Sequence, residues 1–471
     1  MAEQKLQRAL GLRDLILFYI VSGIGLRWIA SAAAAGQSSI VIWLVAWCGF
    51  FLPLAGCVIE LSSRYPEEGG MYVWTREACG EFTGFMAGWT YWMCNLPYFP
   101  AVLYFAASSL LFTGRWGQHL QSSHAYYMIF TTATLALITV LNVVSVKIGK
   151  WINNLGAVGM IVPVLTLVAI GLASYLRFGS ATHFTLHDMA PRPSVGNMVF
   201  WSTIFFAFAG CELPSFMGEE IEDARRSIPR ALFIAGVFIT FSYIAGTAAM
   251  LVALPSTSIS ELSGFMNAID LLCRKVGVGI LVAPLALLVA VANVGGAAAF
   301  LSSTARLPFV AGIDHYLPPI FGRVHPRWKT PYVALISYGL AGIFFGLLSQ
   351  AGTSVRGAYD LLVSMSIVTY FIPYLLLFVS VIRIQSRPFP ENAFRLPGGS
   401  RTAISLAGVG VVSTSATIVL SLFPSADEPH PVVAFSKIVV MTVVVLVAGA
   451  AVYKQGERSR QRALLARRLG D

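Results

Sequence analysis

Twelve apolar runs, each long enough to cross a bilayer as a helix, follow one another along this chain. A helical span needs roughly 20 mostly apolar residues. Such runs occur at 15–35, 39–60, 84–113, 125–146, 152–176, 196–217, 230–254, 278–309, 332–350, 358–384, 403–423 and 432–453. No ten-residue β-barrel alternation is present. Only 11% of the 471 residues are charged, against about 25% in an ordinary soluble domain. A soluble enzyme, a disordered scaffold and a secreted disulfide protein are thereby excluded. The six cysteines form no CxxC pair and lie mostly in apolar runs, so no disulfide framework and no metal site is read, and no cofactor is expected. The implied class is an all-α membrane protein with twelve transmembrane helices.

Twelve spans put both termini on one side. That side holds 24 of the 32 Lys and Arg residues, the opposite side holds seven (Arg115, Arg177, Arg192, Arg274, Lys275, Arg356 and Lys437), and Arg27 lies within a span. The positive-inside bias predicts cytoplasmic termini in a plasma (inner) membrane. It also accounts for the net charge of +10 without nucleic acid as a partner. The polar, mixed-charge start of the chain does not read as a cleaved signal peptide. The basic stretch from Lys454 to Arg468 is expected to lie over anionic lipid headgroups.

Transporters are often built from inverted repeats whose binding site forms where helices in matching positions are interrupted. Span one contains Ser22-Gly23-Ile24-Gly25, and span six contains Phe206 to Gly210. Each opens a possible five-helix unit, 15–178 and 196–385, preceded by residues 1–14 and followed by two further helices at 403–453 and a tail at 454–471. Two charges sit well inside spans, just after these interruptions: Arg27 and Glu212. A charge at the bilayer centre usually faces a cavity or a partner. Arg27 is open to three readings: a pair with Glu212, contact with a substrate carboxylate, or extension to the outer water. Glu212 either bonds loose backbone at the break or exchanges a proton.

Four stretches, in order and at matching spans, resemble the amino acid–polyamine–organocation family of transporters. They are Glu60–Trp74 (ELSSRYPEEGGMYVW), Gly84–Trp92 (GFMAGWTYW), Phe206–Glu212 continuing into Gly218–Arg230 (GEEIEDARRSIPR), and Ser303–Gly312 (STARLPFVAG). The resemblance implies a leucine-transporter-like fold of five plus five inverted helices with two additional ones. It implies transport of amino acids or related amines by alternating access, with substrate at unwound centres of helices 1 and 6. It further implies that backbone N–H groups of Gly23, Ile24 and Gly25 hold the substrate carboxylate. Ser22, Ala207 and Gly210 would border the site. Phe206 would cover the substrate, Phe300 would line the outer path, and Tyr91, Cys94 and Asn95 would face the site. Glu212 would serve gating or coupling.

Two departures from the family pattern stand out. Arg27 replaces an apolar or aromatic residue, which opens the alternative of an acidic amino acid exchanger. Met160 stands where some members carry a lysine in place of sodium, and Gly295–Ala299 offers no hydroxyl ligands, so no dedicated sodium site is expected. Enzyme motifs such as HExxH and GxSxG are missing from the sequence, as are channel filter loops. A non-transporting amino-acid sensor is a further reading that the sequence alone leaves open.

Overall fold

The computed structural model describes residues 8–114, 117, 119–191, 195–260, 262–349, 355–390, 393–422 and 431–470. Arg115 and Arg192, two of the cations counted opposite the termini, lie outside them, as do residues 1–7. Among the described residues the regular structure is helical, apart from one isolated bridge between Leu10 and Ile221. Nine helical segments among them are long and apolar enough to cross a membrane, and two shorter apolar helices, Tyr332–Leu348 and Thr369–Ile384, accompany them. Their outer faces carry large apolar side chains in the open: Leu176 is 75% exposed, Phe233 74% and Val412 71%. A water-facing surface rarely shows so much contiguous apolar area, and lipid is its natural solvent.

Three of the apolar runs are not continuous helices. The first consists of Leu12–Gly23 and Leu26–Ala34, joined by Ile24 and Gly25 in extended backbone. The run at 84–113 stops at Cys94 and restarts at Tyr98. Pro97, which has no N–H to continue the ladder, lies in this interruption. The run at 196–217 is helical only over Val195–Ala207, then turns through Gly210 at φ +101° into a 3-10 segment, Leu213–Glu220. Pro214 and the left-handed Gly210 explain why helix does not continue there.

The two broken runs meet. A methyl group on Gly210 would lie 2.7 Å from the Ser22 carbonyl oxygen, so only glycine lets these backbones touch. The surrounding helices cross just as closely elsewhere: a methyl on Gly295 would sit 2.6 Å from Gly156 Cα. Small residues permit such contact where water is not available to drive helices together.

Ala9 and Arg460, near the two limits of the described residues, lie at one end of the bundle. The N–H groups of Ala9 and Leu10 donate to the Glu220 carbonyl at 3.0 and 3.1 Å. The last helix, Pro431–Gly470, runs through the basic stretch without a stop, and its Arg460 bonds Glu81 and Tyr316. At a rise of 1.5 Å per residue it is about 60 Å long, roughly twice the hydrocarbon thickness.

The backbone crossing at Gly295 predicts a sharp size limit. Gly295→Leu should destabilise the detergent-solubilised protein by about 1–3 kcal/mol through overpacking. Gly408→Leu, where nothing lies within 4 Å, should leave it unchanged. Thermal unfolding followed by size-exclusion retention reads both, and equal melting of the two variants would contradict the packing described.

Candidate functional site

The interrupted helices leave backbone groups without helical partners, and one side chain serves both breaks. The Tyr243 hydroxyl accepts from the Gly25 N–H at 3.0 Å and lies 2.9 Å from the Gly23 carbonyl and 2.7 Å from that of Ala207. A phenol has one proton, so it serves one of these carbonyls at a time. Trp43 stacks on Tyr243 with centroids 4.4 Å apart and planes 7° from parallel, and its indole N–H donates to Thr247 at 3.0 Å. Phe208 meets both rings edge-on. The Ile24 N–H, meanwhile, bonds the Ile20 carbonyl at 3.1 Å. The N–H groups of Ile24 and Gly25 are therefore occupied from within the protein.

Between the breaks is a cavity of about 20 Å³, lined by Ser22 to Gly25, Trp28, Tyr98, Phe206, Ala207, Ala209, Phe300 and Tyr370. That is room for about one water molecule. Rings close it. Phe206 packs edge-on against Trp28 at 5.4 Å and against Tyr370 at 4.9 Å, and Tyr98 lies 4.3 Å from Phe300. An amino acid fits only if these rings move apart.

Glu212 sits beyond Phe206 and Tyr370 and is fully buried. Its carboxylate accepts from the Tyr91 hydroxyl, from the Tyr374 hydroxyl at 2.7 Å and from the Gly210 N–H at 3.2 Å. Tyr91 and Tyr370 share a hydrogen bond at 3.0 Å. Cys94 and Asn95 donate back to the Tyr91 carbonyl at 3.1 and 2.7 Å, so they shape the helix end below the ring rather than the cavity wall.

Arg27 is 3% exposed and does not pair with Glu212. Its guanidinium carbon lies 4.2 Å from the Trp28 ring centre and 4.9 Å from that of Tyr98. Its Nε and Nη1 are buried without a hydrogen-bond partner. A run of ring contacts through Trp28, Phe206, Tyr370 and Tyr91 leads from Arg27 to the Glu212 carboxylate.

Of the residues nominated from sequence, Ser22, Gly23, Ile24, Gly25, Phe206, Ala207 and Phe300 come together around the cavity. Gly210 forms the contact behind it, and Tyr91 with Glu212 lies one layer beyond. Sequence reasoning did not pick out Trp28, Tyr98, Tyr243, Tyr370 or Tyr374. The spacings carry a trace of two of them: Tyr370 and Tyr374 share a helix face.

A second polar cluster closes the end of the bundle that carries the termini. Arg306, fully buried, bonds Glu68 at 3.2 Å, Glu220 at 3.0 Å and the Ser302 carbonyl. Glu68 also accepts from the Glu219 N–H at 3.2 Å, and the Gly69 N–H donates to Phe216 at 2.9 Å. Three of the motif stretches are thus tied together by one cation. Burial pushes the Glu68 carboxyl well above the usual carboxylate range, the nearby Glu220 charge adds to this, and Arg306 opposes it. Close by, Asp314 accepts from Tyr72 at 2.8 Å and from Arg76.

A family model described as amino acid permease matches residues 10–448. An uncharacterized transporter of Legionella pneumophila is 25% identical over 90% of this chain and 91% of its own length. A probable agmatine/putrescine antiporter of Lactococcus lactis is 22% identical over 90% of each chain. A serine/threonine exchanger of Bacillus subtilis is 27% identical over 80% of this chain and 83% of its own.

Removing one member of the buried cluster leaves charge unpaired. Arg306→Met should cost about 3–5 kcal/mol at pH 7.5. The deficit should shrink toward pH 5, because the Glu68 carboxyl, already pushed upward by burial, takes up a proton and loses its unpaired charge. The folded state then binds protons more tightly than the unfolded chain, so stability rises as pH falls. Melting temperatures across that pH range check this, and a pH-independent deficit would contradict it.

Proposed function

The chain belongs to the amino acid permease family, and from that premise we propose that it is a secondary transporter of amino acids or related amines, working as a permease or exchanger by alternating access. The matched relatives are transporters rather than enzymes, and the apolar helices make this an integral membrane protein. In this reading twelve spans form two inverted units of five helices, 15–178 and 196–385, with two helices appended. The termini face the cytoplasm from the plasma (inner) membrane, as the distribution of basic residues favours.

The observation that carries the reading is the meeting of two helix breaks beside a cavity, with Tyr243 bonded to both. Substrate binds there after Trp28, Phe206, Tyr98 and Phe300 part. Two seals then alternate. On one side Tyr98 and Phe300 separate. On the side of the termini, Tyr91, Tyr374 and Glu212 part, followed by the Glu68–Arg306–Glu220 cluster. Packed interfaces of this kind switch between discrete arrangements rather than deforming continuously.

Glu212 is suited to couple a proton to that cycle. As a carboxylate it accepts from two tyrosines and Gly210. Once protonated it becomes a donor as well and no longer holds both hydroxyls in the same way. The second seal loosens with the proton on and tightens with it off.

Reconstitution in liposomes tests the proposal. Uptake or counterflow of at least one amino acid or amine from a broad panel is expected, and none from the whole panel would contradict it. Two variants refine the test. Tyr243→Phe removes the bonds at both breaks, worth about 1 kcal/mol each, and should lower transport at least about tenfold while folded protein is still recovered. Glu212→Gln should retain exchange of substrate for substrate but lose its pH dependence between pH 5 and 8. An unchanged pH profile would remove Glu212 from coupling.

A further inference from the structure

We propose that Arg27 is the anion receptor of this site and that the transported compound must carry a carboxylate, so that decarboxylated amines are not substrates. The inference rests on the transport reading above and narrows its substrate class. Three observations lead to it. First, Arg27 is buried with Nε and Nη1 unpartnered. A guanidinium brings five N–H donors and does not give up its charge inside a protein. Second, it sits in the first turn of Leu26–Ala34, the positive end of that helix, where a cation is out of place and an anion is favoured. Third, two of the backbone donors at the interruption are already engaged, Ile24 by Ile20 and Gly25 by Tyr243.

The guanidinium lies against Trp28 and Tyr98, and both rings line the cavity. Ring stacking orients a guanidinium while leaving its in-plane N–H groups for a ligand. When Tyr98 parts from Phe300, a carboxylate entering the cavity can take a charge-assisted hydrogen bond from one of the free N–H groups, at Nε or at Nη1, which lie on different edges of the guanidinium. An amine without a carboxylate would place a second cation beside Arg27 in a water-poor site, where repulsion is weakly screened. Glu212 forms no ion pair there, its carboxylate being held by Tyr91, Tyr374 and the Gly210 N–H.

The carboxylate can be the α-carboxylate of any amino acid or the side-chain carboxylate of an acidic one, and the experiment separates these. Wild-type protein in liposomes is assayed with glutamate, serine and arginine and with their carboxylate-free counterparts propylamine, ethanolamine and agmatine. At least one amino acid should be carried, and each amine at least about 100-fold less well. Arg27→Gln should raise KM for carried amino acids at least about tenfold with kcat less affected, and Arg27→Lys should recover part of the loss. A loss confined to glutamate assigns Arg27 to a side-chain carboxylate, and a loss shared by every carried amino acid assigns it to the α-carboxylate. Amines carried as well as amino acids, or an unaltered Arg27→Gln, would overturn the proposal.

Thermal shift on the same proteins keeps this separate from transport itself. If no compound moves at all, the transport reading fails. The inference then stands if amino acids alone raise the melting temperature of wild type and do not raise that of Arg27→Gln, and falls if they raise neither or both. A purely structural Arg27 would lower the ligand-free melting temperature and leave ligand shifts in place.

Discussion

Inside a bilayer a broken helix exposes N–H and C=O groups that neither water nor lipid can satisfy. The interior of this protein is arranged around that constraint. Tyr243 answers it with a single hydroxyl placed among Gly25, Gly23 and Ala207, and Trp43 and Phe208 hold the ring in place. Because the same hydroxyl reaches both breaks, the two halves of the chain are registered on one another at the point where the cavity forms. Gly210 completes the arrangement by letting the second break approach Ser22 backbone to backbone.

Buried charge is the second constraint, and three solutions appear. Glu212 is held by hydroxyls and an N–H rather than by a cation. Arg306 is surrounded by two carboxylates and a carbonyl. Arg27 has only aromatic faces. Glu212 and Arg306 find their partners within the protein, although Glu220 Oε2 beside Arg306 is buried without one. Arg27 alone of the three retains buried N–H groups without a partner. Satisfied clusters rigidify, and an unsatisfied one is a place for something to bind.

Much of the architecture is legible in the sequence because its signals are local. Apolar length marks the spans, Pro97 marks a kink, and the glycines at 23, 25 and 210 mark the interruptions. The motif order points to the family. The tyrosines were harder, since in an apolar span an aromatic residue that packs and one that donates a hydrogen bond look the same. Tyr243 lies 218 residues from Gly25, and only the fold brings them together. The Arg306 cluster is hidden for the same reason: its carboxylates are 238 and 86 residues away. In the count of Lys and Arg by side, Arg306 is one of the 24 on the side of the termini, and nothing there marks it as paired. The relation of Arg27 to Glu212 was open from sequence, because following two adjacent breaks says nothing about the rings that stand between.

In the proposed cycle one compound, held by its carboxylate, binds between the two breaks. A cryo-electron microscopy structure determined with a saturating amino acid that raises the melting temperature measures this directly. The account predicts ligand density between Gly23–Gly25 and Phe206, with a carboxylate within about 3 Å of the Arg27 guanidinium and Tyr98 drawn away from Phe300. Density elsewhere in the protein, or at the breaks with Arg27 still stacked and bonded to nothing, would contradict it.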